Sequence, residues 1–250
     1  MIKNLDDNGI KLNMAVIGAS GGIGNAVMLE AHKHPAIDKC YGLSRGGPHK
    51  FTGEGKALFI DIESEESIAQ AVQQIRLDIA ELEIILVATG LLHNASATLP
   101  EKSINGISAA NMLINFQINT VGPALIAKHF RKLLPKKRKA VIAFLSARVG
   151  SIEDNKSGGW YSYRSSKAAL NMVIKTFSIE LSRSNPEAIC VGLHPGTVDT
   201  SLSKPFHKYV QKEKLFTPDF AAKRLFEIIA NLTQESSGSI IAWDGNKIPF

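Results

Sequence analysis

Residues 14–24 read Met14-Ala15-Val16-Ile17-Gly18-Ala19-Ser20-Gly21-Gly22-Ile23-Gly24. The run Met14–Ile17 is apolar throughout and predicts a strand covered on both faces. A glycine-rich turn follows it directly, and a helical pattern begins after Gly24. Glycine is required where backbone must bend sharply and approach a phosphate closely. A helix after Gly24 would point its first N–H groups, with the positive end of its dipole, at such an anion. A tight strand-to-helix connection would also use these residues. The order of strand, glycine turn and helix is the context that a dinucleotide site needs, with Gly18, Ser20, Gly22, Ile23 and Gly24 as the contact positions.

The same alternation continues along the chain. Short apolar, β-branched runs occur at Met14–Ile17, Tyr41–Leu43, Ala57–Ile60, Ile84–Val87, Ala140–Leu145, Ile189–Leu193 and Ser239–Trp243. Helical patterns lie between them. In Glu66–Ala80, residues Ile68, Ala71, Val72, Ile75 and Ile79 form one stripe, with Ser64 as N-cap and Glu65 and Glu66 complementing the dipole. Thr217-Pro218-Asp219 opens the last helix with a cap and a proline at its first position. A longer helical segment covers about Ala109–Leu134, and Pro123 predicts a kink inside it. Strands alternating with helices imply βαβ units and parallel pairing. The predicted fold class is α/β: a single doubly wound domain over residues 1–250, with a seven-stranded parallel sheet flanked by helices on both faces. The aperiodic segment at about 200–216 reads as a mobile insertion over the substrate.

Composition narrows the function classes. With 250 residues, 44% hydrophobic and 21% charged, the chain can build a core, which excludes global disorder. Cys40 and Cys190 are too few for a disulfide framework or a zinc site and read as buried thiols in a reducing compartment. No N-terminal leader and no membrane-length apolar run is present, so the expected setting is cytoplasmic, with no membrane partner. The formal charge of +6 leaves nucleic acid open at first. Its densest cluster, Lys136-Lys137-Arg138-Lys139 with Lys128, Arg131 and Lys132, sits at a helix end without interleaved aromatics. That is the pattern of a solvated helix C-terminus, and no nucleic-acid partner is expected.

The end of the second strand reads Gly42-Leu43-Ser44-Arg45-Gly46. An NAD site places a carboxylate there for the ribose hydroxyls. Here Arg45 offers a guanidinium suited to a 2′-phosphate, and Ser44 adds a hydroxyl, which favours NADP(H) with NAD(H) as the alternative. Asp61, with Ile62 after it, is a candidate for the adenine edge or equally a helix-start residue. Further on, Trp160-Tyr161-Ser162-Tyr163-Arg164-Ser165-Ser166-Lys167 places Tyr163 and Lys167 four residues apart on one helix face. A phenol of ordinary pKa ~10 exchanges protons poorly at neutral pH, and a neighbouring ammonium would lower that value.

Together these elements resemble the short-chain dehydrogenase/reductase family, whose fold is Rossmann-like, over essentially the whole length. The matching positions are the Gly18/Gly22/Gly24 turn, Asp61, Asn119, the Tyr163/Lys167 pair and Pro195-Gly196-Thr197-Val198-Asp199-Thr200. Gly150-Ser151-Ile152, Gly158-Gly159-Trp160 and the ending Asp244–Phe250 are similar to C-factor/sniffer-type carbonyl reductases. The resemblance implies an NADP(H)-dependent oxidoreductase acting on a small carbonyl or alcohol substrate. Tyr163 would be its general acid/base, Lys167 would hold the nicotinamide ribose, and Asn119 would break helix geometry and anchor a water. It implies that Pro195, Gly196, Val198 and Thr200 clasp the nicotinamide amide, that Gly90 passes close to the adenosine ribose with Thr89 replacing part of the family's side-chain clamp, and that the chain forms a dimer or tetramer. A cofactor-binding signalling or regulatory protein of C-factor type with little turnover is the alternative. The family's substrate-polarising serine falls on Ala147, with Ser146 one place earlier as the replacement if a bulge redirects it. Otherwise Tyr163 alone, or Ser151, must orient the carbonyl. Trp160, His93, His194, Phe206 and Tyr209 are candidate pocket walls, and packing or loop roles suit each as well.

Overall fold

A computed structural model describes residues 11–46, 55–93 and 99–250, so residues 1–10 of the N-terminal stretch read for a leader lie outside it. Ten strands and six helices follow in chain order: β1 Leu12–Ile17, α1 Gly22–Lys33, β2 Ile37–Ser44, β3 Lys56–Phe59, α2 Glu65–Arg76, β4 Ile84–Val87, α3 Ala109–Phe116, α4 Gly122–Phe130, β5 Ala140–Leu145, α5 Tyr161–Ser184, β6 Ala188–His194, β7 Thr197–Val198, β8 Leu215–Phe216, α6 Pro218–Asn231, β9 Ile240–Ala242 and β10 Lys247–Ile248. The central sheet runs β3-β2-β1-β4-β5-β6-β9-β10. Strand order reverses between β1 and β4, which both lie at the middle and pair in parallel. The crevice at the carboxyl ends beside such a reversal is where open α/β sheets bind ligands.

Side-chain alternation explains the two covered faces. Along β5, Ala140, Ile142 and Phe144 join one core with α2, α4 and α5, while Val141, Ala143 and Leu145 join another with α1 and α6. Every residue of β5 is buried, as apolar residues at consecutive positions require when both faces are packed. Both cysteines are buried free thiols.

Three predicted elements differ in detail. The sheet has eight strands rather than seven. After β9, Gly245 adopts φ +87, Ala242 N–H bonds to Asn246 O at 2.8 Å, and the chain returns as antiparallel β10. The second helix stops at Arg76, because Asp78 leaves the helix path to accept from Lys39 at 2.8 Å, and to bond Tyr41 and Lys56. The long segment from Ala109 is helical without a break to Phe130, as expected, but its irregularity is a π-helical turn at Gln117–Val121 that joins α3 to α4 just before Pro123.

The segment predicted as an aperiodic insertion is ordered by local bonds. It carries 3₁₀ turns at Lys204–Tyr209 and Lys212–Lys214 and ends in β8, which pairs in parallel with β7. Ser203 Oγ donates to Val198 O at 2.5 Å and sits 2.8 Å from His207 Nε2, tying the segment back to β7.

The glycine turn sets the close approach of α1 to β1. A Cβ on Gly24 would overlap the Gly18 carbonyl oxygen, a backbone atom that cannot yield. Gly24→Ala is therefore expected to lower stability by about 1–3 kcal/mol, measured by urea unfolding at pH 7.

Candidate active site

Two adjoining cavities open at the β1/β4 reversal and share Gly21, Ala88, Thr89 and Gly90. The first encloses about 280 Å³ between the glycine turn, the end of β2 and the Ile60–Glu63 segment. The second encloses about 350 Å³ between the same turn, Tyr163 and Lys167 on α5, and the Pro195–Val210 stretch. Their joint length and shared glycine floor suit an extended ligand with two lobes.

Gly18 has φ +90, and a Cβ there would lie 2.9 Å from Ala88 O, so only glycine fits between β1 and β4. A Cβ on Gly22 would lie 2.6 Å from Thr200 Cγ2, which brings Thr200 against the turn across the cleft. Helix α1 has no side-chain cap. Helices α2, α3 and α6 are capped by Ser64, Ser108 and Thr217. The first N–H groups of α1 thus remain available to an anion in the cleft. Ser44 Oγ and Thr89 Oγ1 are buried with no protein hydrogen-bond partner, and both residues line the first cavity. Buried hydroxyls are normally bonded, so these two are suited to polar atoms of a bound cofactor. Arg45 also lines this cavity, with its guanidinium exposed and 3.5 Å from the Glu63 carboxylate. Asp61 braces the turn before α2: its N–H donates to Ser67 Oγ at 2.9 Å and its Oδ1 accepts from Glu63 N–H. Ile62 lines the cavity beside it.

On α5, Tyr163 and Lys167 face the second cavity and are both buried. Lys167 Nζ lies 6.0 Å from the centre of the Tyr163 ring and donates to Leu145 O at 2.8 Å. Burial pushes the Tyr163 phenol up to about 12 and draws the Lys167 ammonium down to about 8. Asn119 is fully buried at the centre of the π-helical turn. Its Oδ1 accepts from Leu91 N–H, while its Nδ2 donates to Leu91 O at 2.8 Å and to Ser166 Oγ at 3.0 Å. The residue joins the segment after β4 to α5, and the wider turn gives its side chain that reach.

Ser146 lines the second cavity with its hydroxyl already engaged by a neighbouring side chain. Its Oγ donates to Asn171 Oδ1 at 2.6 Å, beneath α5, and the side chain is 4% exposed. Asn171 in turn donates to Gly150 O at 3.2 Å. Strand β5 ends at Leu145, and Ser146 and Ala147 after it both line the second cavity. Ser151 Oγ accepts from Asp154 N–H at 3.0 Å.

The far wall is built by Pro195, Gly196, Val198 and Thr200. Gly196 has φ +80 and packs its α-carbon under the Phe216 ring. Trp160, His194 and Phe206 line the cavity. Burial and the nearby Arg148 lower the His194 imidazole to about 4, so it is neutral at pH 7. His93 packs edge-on against Phe206 without lining the cavity, and Tyr209 is exposed on the outer side. Sequence reading missed Asn171 and Glu101. Glu101 accepts from Ser162 N–H at 3.1 Å and from Asn111 Nδ2 at 2.6 Å, and bonds Ser162 Oγ. A lone glutamate in a loop carries no mark of such a role. No cluster of three metal-ligating side chains occurs among the described residues, and none of their helices is long and apolar enough to cross a membrane.

Comparison with known proteins agrees with this architecture. A curated relative, the 1-hydroxy-2-glutathionyl-2-methyl-3-butene dehydrogenase of Rhodococcus sp. (strain AD45), is 32% identical over 235 residues, covering 92% of this chain and 96% of its own. The C-signal protein of Myxococcus xanthus is 32% identical over 164 residues, covering 64% of this chain and 91% of its own. The NADPH-bound carbonyl reductase from chicken fatty liver superposes with a TM-score of 0.79 at 23% identity, over 96% of this chain and all of that one, which is a likeness of fold. The family model for short chain dehydrogenases matches residues 13–210. With the glycine turn, the buried Tyr163/Lys167 pair and the match along most of the chain, this protein belongs to the short-chain dehydrogenase family of oxidoreductases.

Proposed function

We propose that the protein is an NADP(H)-dependent carbonyl reductase, in which Tyr163 delivers a proton to the substrate oxygen. The observation that carries this reading is the buried Tyr163/Lys167 pair opening onto a cavity that is continuous with the glycine turn and Arg45. NADPH supplies a hydride to the carbonyl carbon when bound. The first N–H groups of α1 would hold its pyrophosphate, and Ser44 and Arg45 its 2′-phosphate. The Thr197–Thr200 stretch would hold the nicotinamide side. The fold neighbour described as NADPH-bound agrees with this choice, and NAD(H) is the alternative cofactor.

The chemistry asked of the protein is small in number of steps. Burial keeps the Tyr163 phenol protonated at neutral pH, so its proton is available. The carbonyl oxygen gains that proton as its carbon receives hydride, and a charge developing on Tyr163 Oη is countered by the Lys167 ammonium. Lys167 reaches this position because its aliphatic stem crosses Gly150: a Cβ on Gly150 would lie 2.8 Å from Lys167 Cβ. The substrate would be a small carbonyl compound or, in the reverse direction, an alcohol. The engagement of the Ser146 hydroxyl by Asn171 favours a second reading: a cofactor-binding protein of low turnover, like the regulatory alternative that the C-signal relative suggests.

Tyr163→Phe is expected to lower kcat for aldehyde reduction by about 10²–10⁴-fold while NADPH binding by calorimetry is unchanged. Equal activity in the variant rejects the role, and tight NADPH binding without oxidation across aldehydes, ketones and quinones selects the second reading. Arg45→Ala should weaken NADPH binding about 10–100-fold and leave NADH binding unchanged, as loss of a charge-assisted phosphate bond requires. The pH profile follows from Lys167: its ammonium is lowered, so the charged form persists below about pH 8 and is lost as pH rises through that value. The kcat/KM for reduction should be level near pH 7 and fall above about pH 8, measured with stopped initial rates across pH 6–10.

A further inference from the structure

Trp160 is the one non-glycine residue among those described with a positive φ, at φ 54 and ψ 43. It follows Gly158 and Gly159, at φ +63 and +66, so three successive residues are left-handed. For a bulky residue this conformation carries strain, which persists only when the surroundings impose it. Two groups do so. Glu101 O accepts from Trp160 N–H at 2.5 Å, and the Glu101 carboxylate, 5% exposed, caps the start of α5 through Ser162. From the other side, Arg164 Nε donates to Gly158 O and Gly159 O at 3.2 and 3.0 Å, and its Nη1 donates to Val149 O.

The result is an indole held in the second cavity between the reacting phenol and the segment after β7. Its ring centre lies 6.3 Å from that of Tyr163 and 4.9 Å from that of Phe206, with interplanar angles of 68° and 53°. Phe206 is itself fixed by the Ser203 bonds to Val198 and His207. A helix could begin at Tyr161 with any residue before it, so the strain is not needed for the fold of α5. It is needed to aim the Trp160 ring at the cavity.

We infer that Trp160 is the specificity-determining residue of this site, an aromatic platform that selects carbonyl compounds bearing a flat aryl ring, and that Glu101 is the positioning residue that holds it. This rests on the carbonyl-reductase reading for the reaction, but the platform itself is a binding surface. An aryl group against an indole and a phenyl ring gains offset and edge-to-face contact that a puckered aliphatic ring of the same size does not.

The test compares benzaldehyde with cyclohexanecarbaldehyde, equal in carbon number and different in ring flatness. It also measures calorimetric binding of benzamide and cyclohexanecarboxamide, which are not reduced, to the NADPH complex. The wild type should favour the aryl member of each pair. Trp160→Gly accommodates the left-handed backbone and removes only the ring. It should retain NADPH affinity and lower the aryl-to-cyclohexyl ratio about fivefold to tenfold, largely through KM, and Trp160→Phe should restore most of it. Glu101→Gln should lower the same ratio in the wild-type background and add nothing in the Trp160→Gly background, where no strain needs holding. A purely structural glutamate would act in both. An unchanged ratio, or unchanged benzamide binding, in Trp160→Gly overturns the inference. If the wild type reduces neither aldehyde while benzamide binding still depends on Trp160, the carbonyl-reductase reading fails and the aryl platform stands.

Discussion

Helix α5 carries Tyr163 and Lys167, and its seat is set by polar bonds from four different segments as well as by its apolar stripe. Thr120 Oγ1 donates to Ser166 O at 2.8 Å, Asn119 reaches Ser166 Oγ, Glu101 caps Ser162, and Asn171 donates to Gly150 O. Lys167 itself donates to Leu145 O at the end of β5. Apolar contact is non-directional and would tolerate a slide or rotation of the helix. Buried hydrogen bonds would not, because each unmade bond costs the desolvation of its group. The reacting phenol is therefore placed by a network whose members come from the segments after β4 and β5 and from the π-helical turn.

That network also explains the electrostatic state of the pair. Burial raises the Tyr163 phenol and lowers the Lys167 ammonium, since both charged forms lose water. Sequence reasoning expects a phenol with a depressed pKa. The structure gives a protonated donor with its ammonium partner turned to a backbone carbonyl, so any lowering must come when ligand charge enters the cleft. The same economy of buried groups governs Ser146: its hydroxyl donates a hydrogen bond to Asn171 Oδ1, and Ala147 beside it offers the cavity only a methyl group.

The net charge of +6 resolves into separate local uses. Arg138 bonds Glu81 at 2.7 Å and the buried Glu83, and Lys139 Nζ donates to Ala230 O at 3.2 Å, so half of the basic run 136–139 is engaged in holding strand ends together. Arg45 stands apart from these, exposed at the rim of the first cavity with a loose carboxylate contact. A cation with weak internal bonds loses little on meeting a phosphate, whereas one bound to a buried carboxylate would have to abandon it.

The fold class was legible in the sequence because it depends on local periodicity: apolar runs that pack on both faces, amphipathic stripes between them, and glycines where Cβ atoms cannot fit. Tyr163 and Lys167 were legible because four residues of helix always share a face. Tertiary structure alone decided the rest. The antiparallel return of β10 depends on a glycine turn whose strands are two and three residues long, too short to show a period. The π-helical turn depends on Asn119 meeting Leu91 and Ser166, which are distant in the chain. The engagement of the Ser146 hydroxyl depends on Asn171, brought to it by the packing of α5 on the sheet. The strain at Trp160 depends on Glu101, a residue 59 positions away. Each of these is a contact between segments that no spacing along one chain encodes, since its energy exists only once the sheet has brought them together.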